Sequence, residues 1–556
     1  MKENVLSLLD KNTRLYGERI ALGKRNKYGW KELTYKGLGL LTRQLASYLL
    51  NELQMQKGDR LAILSESMPE MGACVFASVI SGMVTVPLDN KLTIYELESI
   101  LTSAQPSVLA ISLANLQRGL ELQKRIPSIK NLILMDEHSP NCSIPTLYTL
   151  PDAKECKWRH RSLRDTAFII YTSGTTGAPK GVQTTFGNMT SQVLGLERVL
   201  PEILPQENVN LLSILPMNHL FEMTVGFSTF LNRGASIFYP QSLKPRDVLG
   251  DMREKKIDFM IVVPAFMKLL KTTIEADIKS LPEDERILFE RSYAAAEFIP
   301  DYSIRRQLFR SILAKFGGNF YGFITGGAPL DAAVGEFFER IGIKVFQCYG
   351  LTETSPIISI DRGEDRKLLS VGLVLDSYDA KIDPETGELL VKGPSVMKGY
   401  YNNPEKTAEV LEPDGWFHTG DIAEFDEDGR LYITGRIKNM IVLSGGKKVF
   451  PEEVEAVLEQ NKNFSEVCVF GATRSSGAKD GTEEIMTVIV PTQEVLDKHK
   501  DSEELQQFIG REVKSLAVQL APYKRPVNII VRTSPLPRTA TRKVKRAVVK
   551  EETLAL

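Results

Sequence analysis

One segment carries an unusual density of groups that bind phosphate. Residues 171–182 read Tyr-Thr-Ser-Gly-Thr-Thr-Gly-Ala-Pro-Lys-Gly-Val, and the apolar run 167–171 predicts a buried strand that leads into them. Glycine lets backbone N–H groups turn toward a ligand, hydroxyls add donors, and Lys180 adds a positive charge. The segment is not a P-loop, because Lys180 is followed by Gly181 instead of Ser or Thr. It predicts a phosphate-binding loop, although composition alone also fits a flexible surface loop.

A second polar segment follows another apolar run. Residues 345–354 read Val-Phe-Gln-Cys-Tyr-Gly-Leu-Thr-Glu-Thr, so a predicted strand gives way to a loop at Tyr349. The ring of Tyr349 offers a face on which a purine can stack. The Glu353 carboxylate, directly after the hydroxyl residue Thr352, is suited to hold a hard cation. This segment therefore predicts a nucleotide and metal site.

Two further segments place a carboxylate and a guanidinium about fifteen residues apart. Residues 415–421 read Gly-Trp-Phe-His-Thr-Gly-Asp, and residues 435–439 read Gly-Arg-Ile-Lys-Asn. The carboxylate of Asp421 can accept hydrogen bonds from both hydroxyls of a ribose, and Arg436 can complement a phosphate or ribose oxygen. The alternative is an ordinary surface ion pair, which contributes little to stability.

The C-terminal region is strongly basic. Residues 537–550 hold six basic side chains and no acidic ones. Composition alone would suit a nucleic-acid or membrane patch. No aromatic residue is interleaved for base stacking, and the net charge of the chain is −1, so we expect no nucleic-acid partner.

A lone histidine stands at the end of another predicted strand. Residues 211–219 form an apolar run that ends in Pro-Met-Asn-His, and an uncharged helical segment follows over 223–231. A histidine in this position is usually a packed or surface residue, so His219 alone predicts no chemistry. Gly226 in the helical segment either leaves room for an apolar ligand or permits close helix packing.

Length and composition indicate a soluble protein with more than one domain. The 556 residues exceed what a single core normally holds, and the hydrophobic and charged fractions, 43% and 25%, are ordinary. Five scattered cysteines without metal-site spacing indicate a reducing compartment. No signal-peptide core appears, and we interpret the uncharged run 71–88 as a buried helix and strand, not a membrane span. We expect a cytoplasmic protein with at most transient membrane contact.

The pattern of elements predicts an α/β protein with a separate C-terminal module. Helical stretches alternate with short apolar runs over 18–120, which is typical of parallel α/β architecture. Beyond residue 369 the pattern turns to β hairpins, at 378–392 and 422–433. Residues 271–318 predict a solvated helical pair. After Lys438 a compact α+β pattern of about 118 residues follows, a normal domain size.

Together these segments resemble the motifs of the adenylate-forming superfamily, which includes acyl-CoA synthetases, carrier-protein adenylation domains and firefly luciferase. The resemblance covers nearly the whole chain, from about residue 6 to residue 549. It implies an α/β fold in which residues 1–437 form an N-terminal domain of two parallel α/β subdomains plus a small β subdomain. Residues 438–556 would form a small, mobile α+β cap. ATP and CoA are the implied substrates, and Mg²⁺ is the implied cofactor.

The resemblance also assigns roles to individual residues. It assigns ATP or AMP binding to Thr172, Ser173, Gly174, Thr175, Thr176, Gly177, Lys180, Gly327, Ala328, Tyr349, Gly350, Thr352, Asp421 and Arg436. It assigns catalytic roles to Lys543, Glu353 and His219, metal binding to Thr175 and Glu353, the domain hinge to Lys438, and a thiol tunnel to Gly445 and Gly446. Arg542 stands where many members have Gly, so the loop before Lys543 must accommodate a bulky cation.

The substrate implied by the resemblance is a medium-to-long-chain fatty acid. The helix-rich stretch 271–318, followed by Gly-Phe-Ile-Thr-Gly-Gly-Ala-Pro-Leu at 322–330, is similar to long-chain acyl-CoA synthetases. Three alternatives stay open: transfer to an acyl carrier protein or release of the adenylate, ligation of an aryl acid, and a catalytically silent scaffold. The sequence does not predict the oligomeric state.

Overall fold

The computed structural model describes residues 7–137, 143–153, 161–172, 179–204, 208–443, 447–473, 483–538 and 544–555. By their mutual contacts the residues form two compact units. The first unit comprises Met1–Asp379 and Lys392–Phe417, and the second comprises Ala380–Val391 and His418–Leu556. The fold is α/β, as predicted. The predicted boundary at Lys438 lies inside the second unit and stays a prediction about movement.

Among the described residues of the first unit, the larger sheet has nine strands. Their order across the sheet is Leu373–Val374, Ser359–Ile360, Lys344–Tyr349, Gly322–Gly326, Phe259–Val262, Asn210–Ser213, Ser236–Tyr239, Ile20–Asn26 and Gly29–Thr34. The neighbouring pairs from Lys344–Tyr349 to Ile20–Asn26 are parallel, and the pairs at both edges are antiparallel. The carboxyl ends of the parallel strands share one edge, as the predicted motif loops require.

The second sheet of the first unit has seven strands among the described residues. Its order is Gly399–Tyr400, Lys180–Thr185, Thr166–Thr172, Val84–Leu88, Arg60–Leu64, Val108–Ile111 and Asn131–Leu134. The last five strands are parallel, and the first two join them in antiparallel pairs. The apolar run 71–88 is resolved as predicted, since buried helix Pro69–Ser81 ends at Gly82 with φ +91° before the strand at Val84.

Helices connect and cover these sheets. Those of the first unit include Leu8–Tyr16, Tyr35–Ser47, Pro69–Ser81, Ile94–Ala104, Leu116–Arg125, Phe186–Ile203, Phe230–Asn232, Pro245–Lys255, Pro264–Lys279, Glu283–Ala296, Tyr302–Leu308, Arg310–Lys315, Ala332–Arg340 and Pro404–Ala408. Short 3₁₀ turns lie at Leu113–Asn115 and Thr352–Thr354, and π-helical turns at Tyr48–Glu52 and Glu222–Thr229. In the described part of the chain no helix combines the length and the apolar character needed to cross a bilayer.

The predicted solvated helical pair at 271–318 is wrong. The structure divides the stretch among four helices, which run over Pro264–Lys279, Glu283–Ala296, Tyr302–Leu308 and Arg310–Lys315. Pro282 precedes the second helix and Pro300 precedes the third, so these prolines mark breaks that the helical periodicity masked. Phe309 and Phe316 are fully buried in a hydrophobic core that also contains residues of the nine-stranded sheet. Part of this stretch therefore belongs to the core and is not solvated.

The second unit combines small sheets with a few helices. Its described strands form a four-stranded sheet (Asp379–Ile382, Glu388–Lys392, Phe417–Phe425, Leu431–Arg436), a two-stranded sheet (Ile441–Val442, Lys448–Val449) and a three-stranded sheet (Phe464–Thr473, Glu483–Pro491, Asn528–Val531). Its helices include Pro451–Leu458, Gln493–Lys498, Ser502–Ala517 and Arg546–Leu554, with 3₁₀ turns at Ile437–Asn439 and Pro522–Lys524. The predicted hairpins are confirmed. At the N-terminus of helix Ser502–Ala517, the Asp501 side chain accepts from the backbone N–H groups of Glu503 and Glu504.

Candidate functional site

The predicted phosphate-binding segment connects an antiparallel strand pair in the first unit. Strand Thr166–Thr172 pairs with strand Lys180–Thr185, and Thr172 stands opposite Lys180 in the register. The two ends of the connecting segment are therefore held together at one point of the seven-stranded sheet. The candidates between them, Ser173, Gly174, Thr175, Thr176 and Gly177, lie outside the described residues.

Lys180 and Glu353 both contact Tyr400, a residue outside all of the sequence motifs. The Lys180 Nζ lies 5.1 Å from the centre of the Tyr400 ring, an attractive position for a cation over an aromatic face. The Tyr400 hydroxyl donates to Oε1 of Glu353 at 2.9 Å. Burial and the nearby Glu353 charge raise the pKa of Tyr400, so the hydroxyl keeps its proton and remains a donor. Tyr400 thus links the predicted phosphate loop to the predicted metal ligand.

Backbone hydrogen bonds fix this tyrosine between the two motifs. Tyr400 is the register partner of Val182 in an antiparallel pair, and the next residue, Tyr401, donates its N–H to the Gly181 carbonyl at 2.7 Å. On the other side, the Met397 N–H donates to the Glu353 carbonyl at 2.7 Å. Residues 397–401 therefore bridge two segments that lie about 170 residues apart in the chain. No local sequence pattern encodes such a bridge.

The second motif adopts the predicted strand and loop. Strand Lys344–Tyr349 ends at a half-buried tyrosine, and Thr352–Thr354 form a 3₁₀ turn that carries Glu353. Gly350 is required for steric reasons, because a Cβ atom built there would lie 1.7 Å from the carbonyl oxygen of Pro356. The backbone at Gly350 thus packs directly against the backbone at Pro356.

Gly327 and Ala328 come to the same sheet edge as Tyr349. Strand Gly322–Gly326 runs parallel to strand Lys344–Tyr349, with Gly326 opposite Cys348 in the register. Gly327 follows with φ +82°, and both it and Ala328 are exposed. The structure therefore brings these three candidates together at the carboxyl ends of neighbouring parallel strands, where ligands of α/β proteins usually bind. Their contact with a nucleotide stays a prediction.

His219 lies at the start of a helical segment that contains a buried acid. The histidine is half-buried, and its carbonyl accepts from the Met223 N–H at 3.0 Å. Glu222 is fully buried and accepts a hydrogen bond from the Ser213 hydroxyl at 2.6 Å. Burial raises the pKa of Glu222 to about 8, so its carboxyl group is mostly protonated at neutral pH. The space beside Gly226 is filled by this carboxyl group, since a Cβ there would lie 2.5 Å from its oxygens.

The donor set around Glu353 fits the Mg²⁺ that the resemblance implies. The Glu353 side chain is half-buried, and its carboxylate oxygens are hard ligands of the kind that Mg²⁺ prefers. Among the described residues, no cluster of three or more His, Cys, Asp or Glu side chains forms a complete metal site. A single carboxylate that acts with phosphate oxygens of a substrate is a usual arrangement for Mg²⁺. Thr175, the other candidate ligand, lies outside the described residues.

The predicted ribose site lies in the four-stranded sheet of the second unit. Asp421 and Arg436 are register partners on adjacent antiparallel strands, and the Arg436 Nε lies 2.7 Å from an Asp421 carboxylate oxygen. Asp421 is 1% exposed, so the pair is not the ordinary surface ion pair considered as an alternative. Glu388, which lies outside the sequence motifs, supports this strand by accepting from the Gly420 N–H at 2.8 Å.

The remaining candidates lie in or beside the C-terminal module. Lys438 belongs to the 3₁₀ turn Ile437–Asn439, and its role as a hinge stays a prediction. Gly445 and Gly446, the predicted thiol tunnel, fall outside the described residues, as does Lys543. The structure does describe the residues that flank these segments.

Comparisons with known proteins identify the family. The chain matches the AMP-binding enzyme family over residues 9–401 and the AMP-binding enzyme C-terminal domain over residues 453–543. Because the first match alone spans more than half of the chain, the protein belongs to the family of AMP-binding enzymes. The resemblance to the adenylate-forming superfamily drawn from the motifs is thereby confirmed.

Within this family, the chain is similar to several proteins named as fatty acyl-CoA ligases or synthetases. The chain is 30% identical to the long-chain-fatty-acid–CoA ligase FadD15 of Mycobacterium bovis, covering 80% of this chain and 76% of the relative. It is also 30% identical to fatty acyl-CoA synthetase A of Dictyostelium discoideum, covering 86% of this chain and 74% of the relative. A solved Mycobacterium tuberculosis fatty acyl CoA synthetase superimposes with a TM-score of 0.67 at 25% identity, covering 99% of this chain and 98% of that one.

Proposed function

We propose that this enzyme activates a medium-to-long-chain fatty acid with ATP through an acyl adenylate and transfers the acyl group to the thiol of CoA. It is an acid–thiol ligase of the AMP-forming type, the class to which its named relatives belong. The observation that carries the proposal is the meeting of Lys180 and Glu353 at Tyr400. These contacts support the proposal because a cation at the end of the predicted phosphate loop and the carboxylate of the predicted metal ligand lie against the same side chain.

The first step joins two anions. A carboxylate oxygen of the acid bonds to the α-phosphorus of ATP, the bond to the β-phosphate oxygen breaks, and pyrophosphate leaves. The carboxylate is already nucleophilic, so the main requirements are in-line positioning and neutralisation of charge. Lys180 would hold the leaving pyrophosphate, and Lys543 would lie between the carboxylate and the α-phosphate. A lysine suits this task because its ammonium group is a compact charge on a flexible stem.

Bound Mg²⁺, held by Glu353 and Thr175, would supply Lewis-acid stabilisation of the phosphate charges. Asp421 and Arg436 would bind the ribose, and the ring of Tyr349 would stack on the adenine. Gly327 and Ala328 would contribute backbone to the same nucleotide site.

The second step replaces AMP with a thiol. The sulfur of CoA bonds to the acyl carbon, the bond between that carbon and the phosphate oxygen of AMP breaks, and the thiol releases its proton. His219 would lie beside the channels for the acyl group and the thiol. As in the family, the C-terminal module would turn about Lys438 between the steps, so that the face with Gly445 and Gly446 replaces the face with Lys543.

Pyrophosphate release tests the proposal directly. The purified enzyme should release pyrophosphate when ATP, Mg²⁺ and a carboxylic acid are all present, and a panel of saturated acids should favour medium or long chains over benzoate. Thioester formation with CoA and with a purified acyl carrier protein identifies the acceptor. A preference for benzoate or for the carrier protein would contradict the proposed substrate or acceptor. No release with any acid would favour a silent scaffold.

Tyr400→Phe should weaken the binding of Mg²⁺ by Glu353 while keeping the aromatic ring of residue 400. The variant keeps the aromatic face under Lys180 but removes the donor to the Glu353 carboxylate. Loss of a partner that orients a metal ligand typically costs about 10- to 100-fold in metal affinity. We expect the Mg²⁺ concentration for half-maximal pyrophosphate release to rise about tenfold. The matched control is Tyr401→Phe, and equal Mg²⁺ dependence in Tyr400→Phe and wild type would contradict the role of the hydroxyl.

A further inference from the structure

Three charged residues of the second unit form a half-buried cluster next to the C-terminal motif. The Arg546 guanidinium lies 2.6 and 2.8 Å from the two carboxylate oxygens of Glu455 and 3.0 Å from a carboxylate oxygen of Glu452. Both glutamates project from helix Pro451–Leu458, three residues apart, and therefore share one face of it. We call Arg546, Glu452 and Glu455 the Arg546 anchor.

The anchor has the geometry of a guanidinium site and is held by its surroundings. One terminal nitrogen of Arg546, Nη2, donates to both carboxylate oxygens of Glu455, and the other, Nη1, donates to Glu452. The planar guanidinium thus holds two glutamates with two separate nitrogens, which the single ammonium of lysine cannot reproduce. Glu455 also accepts from the Val469 N–H at 2.7 Å, which fixes the anchor to strand Phe464–Thr473. Burial raises the pKa of the Glu455 carboxyl, and the Arg546 charge opposes that shift.

The same strand holds the other end of the segment that carries Lys543. Glu466 accepts from the Leu536 N–H at 2.7 Å and lies 2.9 Å from the Arg538 guanidinium. Arg538 and Val544 form an antiparallel bridge, and the Lys545 N–H donates to the Pro537 carbonyl at 2.8 Å. The residues on both sides of 539–543 are therefore attached to the same strand, Phe464–Thr473. Lys543 lies only three residues from Arg546, which is about 10 Å of fully extended chain.

The anchor also touches the predicted hinge. The Asn439 side chain, which follows Lys438, donates to the same Glu452 oxygen that Arg546 approaches, at 2.7 Å. Glu452 thus joins the residue after the hinge to the residue three positions after Lys543. Through this contact the base of the Lys543 segment and the hinge turn belong to one packed cluster.

We propose that the Arg546 anchor positions the segment bearing Lys543 for adenylate formation. This inference rests on the proposed function of the site. Arg546 touches no substrate in this scheme and acts as a positioning residue: it fixes one end of the segment, so that movement of the module carries Lys543 with it. The anchor should matter for the first step, which uses Lys543, and not for the second step, which does not.

Two conservative variants, Arg546→Lys and Glu455→Gln, test the proposal in the full-length enzyme. Pyrophosphate release with hexadecanoate and ATP should fall about 10- to 30-fold, because misplacing a reacting group by about 1 Å costs up to about 100-fold. Thioester formation from preformed hexadecanoyl-AMP and CoA should stay within about threefold of wild type. The split between the two half-reactions is a result that general loss of folding would not give.

A readout independent of catalysis separates failure of the anchor from failure of the proposed function. Hydrogen exchange at the backbone amides of Val544 and Lys545 should be faster in both variants than in wild type. The control is Arg532→Lys. Arg532 forms an ion pair with Glu552, which lies on the same C-terminal helix as Arg546. This control should change neither the exchange of these amides nor the rates of the two half-reactions. Unchanged exchange, or an equal fall in both half-reactions, would overturn the proposal. Faster exchange in an enzyme that activates no acid would overturn only the function assigned above.

Discussion

Lys543→Ala is expected to slow formation of the acyl adenylate by about 100- to 1,000-fold, the cost of removing one group that stabilises charge in a transition state. The lysine would offset the repulsion between the fatty carboxylate and the α-phosphate, and alanine leaves that repulsion uncompensated. The second step needs no such charge, because the adenylate has already formed. Single-turnover pyrophosphate release and thioester formation from preformed hexadecanoyl-AMP measure the two steps separately.

The matched control for this prediction is Lys545→Ala. Lys545 is exposed and lies two residues away, so its loss removes the same charge from the same basic stretch. We expect it to leave both steps nearly unchanged. If Lys543→Ala slowed thioester formation as strongly as adenylate formation, the role assigned to Lys543 would be wrong.

Glu353→Gln should lower the rate of pyrophosphate release by about 100-fold at a Mg²⁺ concentration that saturates the wild type. The amide is nearly the same size and can still accept a hydrogen bond from Tyr400, so packing should survive. It lacks the negative charge that makes a carboxylate a strong ligand for Mg²⁺. Titration of pyrophosphate release with Mg²⁺ should give a curve displaced to higher concentrations.

Glu364→Gln provides the comparison for Glu353. Glu364 belongs to the same unit, and its exposed side chain pairs with the buried Lys344. Its variant therefore removes one carboxylate charge without changing the predicted metal ligand. Its variant should retain the wild-type Mg²⁺ dependence. An unshifted Mg²⁺ titration in Glu353→Gln would remove Glu353 from the metal site.

Features with a local cause could be predicted from the sequence. The strand before the phosphate segment, the strand ending at Tyr349 and the hairpin that pairs Asp421 with Arg436 all have apolar runs followed by turn residues. Their residue types restrict the backbone within a few positions, so the pattern is visible without the fold. The cap at Asp501 is of the same kind.

Features that depend on distant parts of the chain could not be predicted. Tyr400 matters because its short strand pairs with the strand that begins at Lys180, while the preceding residues contact Glu353. The Arg546 anchor likewise joins a helix to a residue about 90 positions later. Pairings of this range come from tertiary packing, which spacing and propensity do not encode.

The grouping of the chain into units also depends on contacts between distant stretches. The sequence predicts a change of domain at Lys438, where the pattern of elements changes. By contacts, however, the residues around Asp421 group with the C-terminal module, and the chain passes between the two units after Asp379, Val391 and Phe417. Sequence order cannot reveal a grouping in which one unit is assembled from separate stretches.

The tight fold of the backbone at Gly350 affects how mutational scans of this enzyme should be interpreted. Every other amino acid would bring a Cβ atom to 1.7 Å from the Pro356 carbonyl oxygen, whatever its charge or polarity. Intolerance at this position would therefore look like that of a catalytic residue although glycine contributes no reactive group. Sequence variants at Gly350 in a population should accordingly be classed with folding defects.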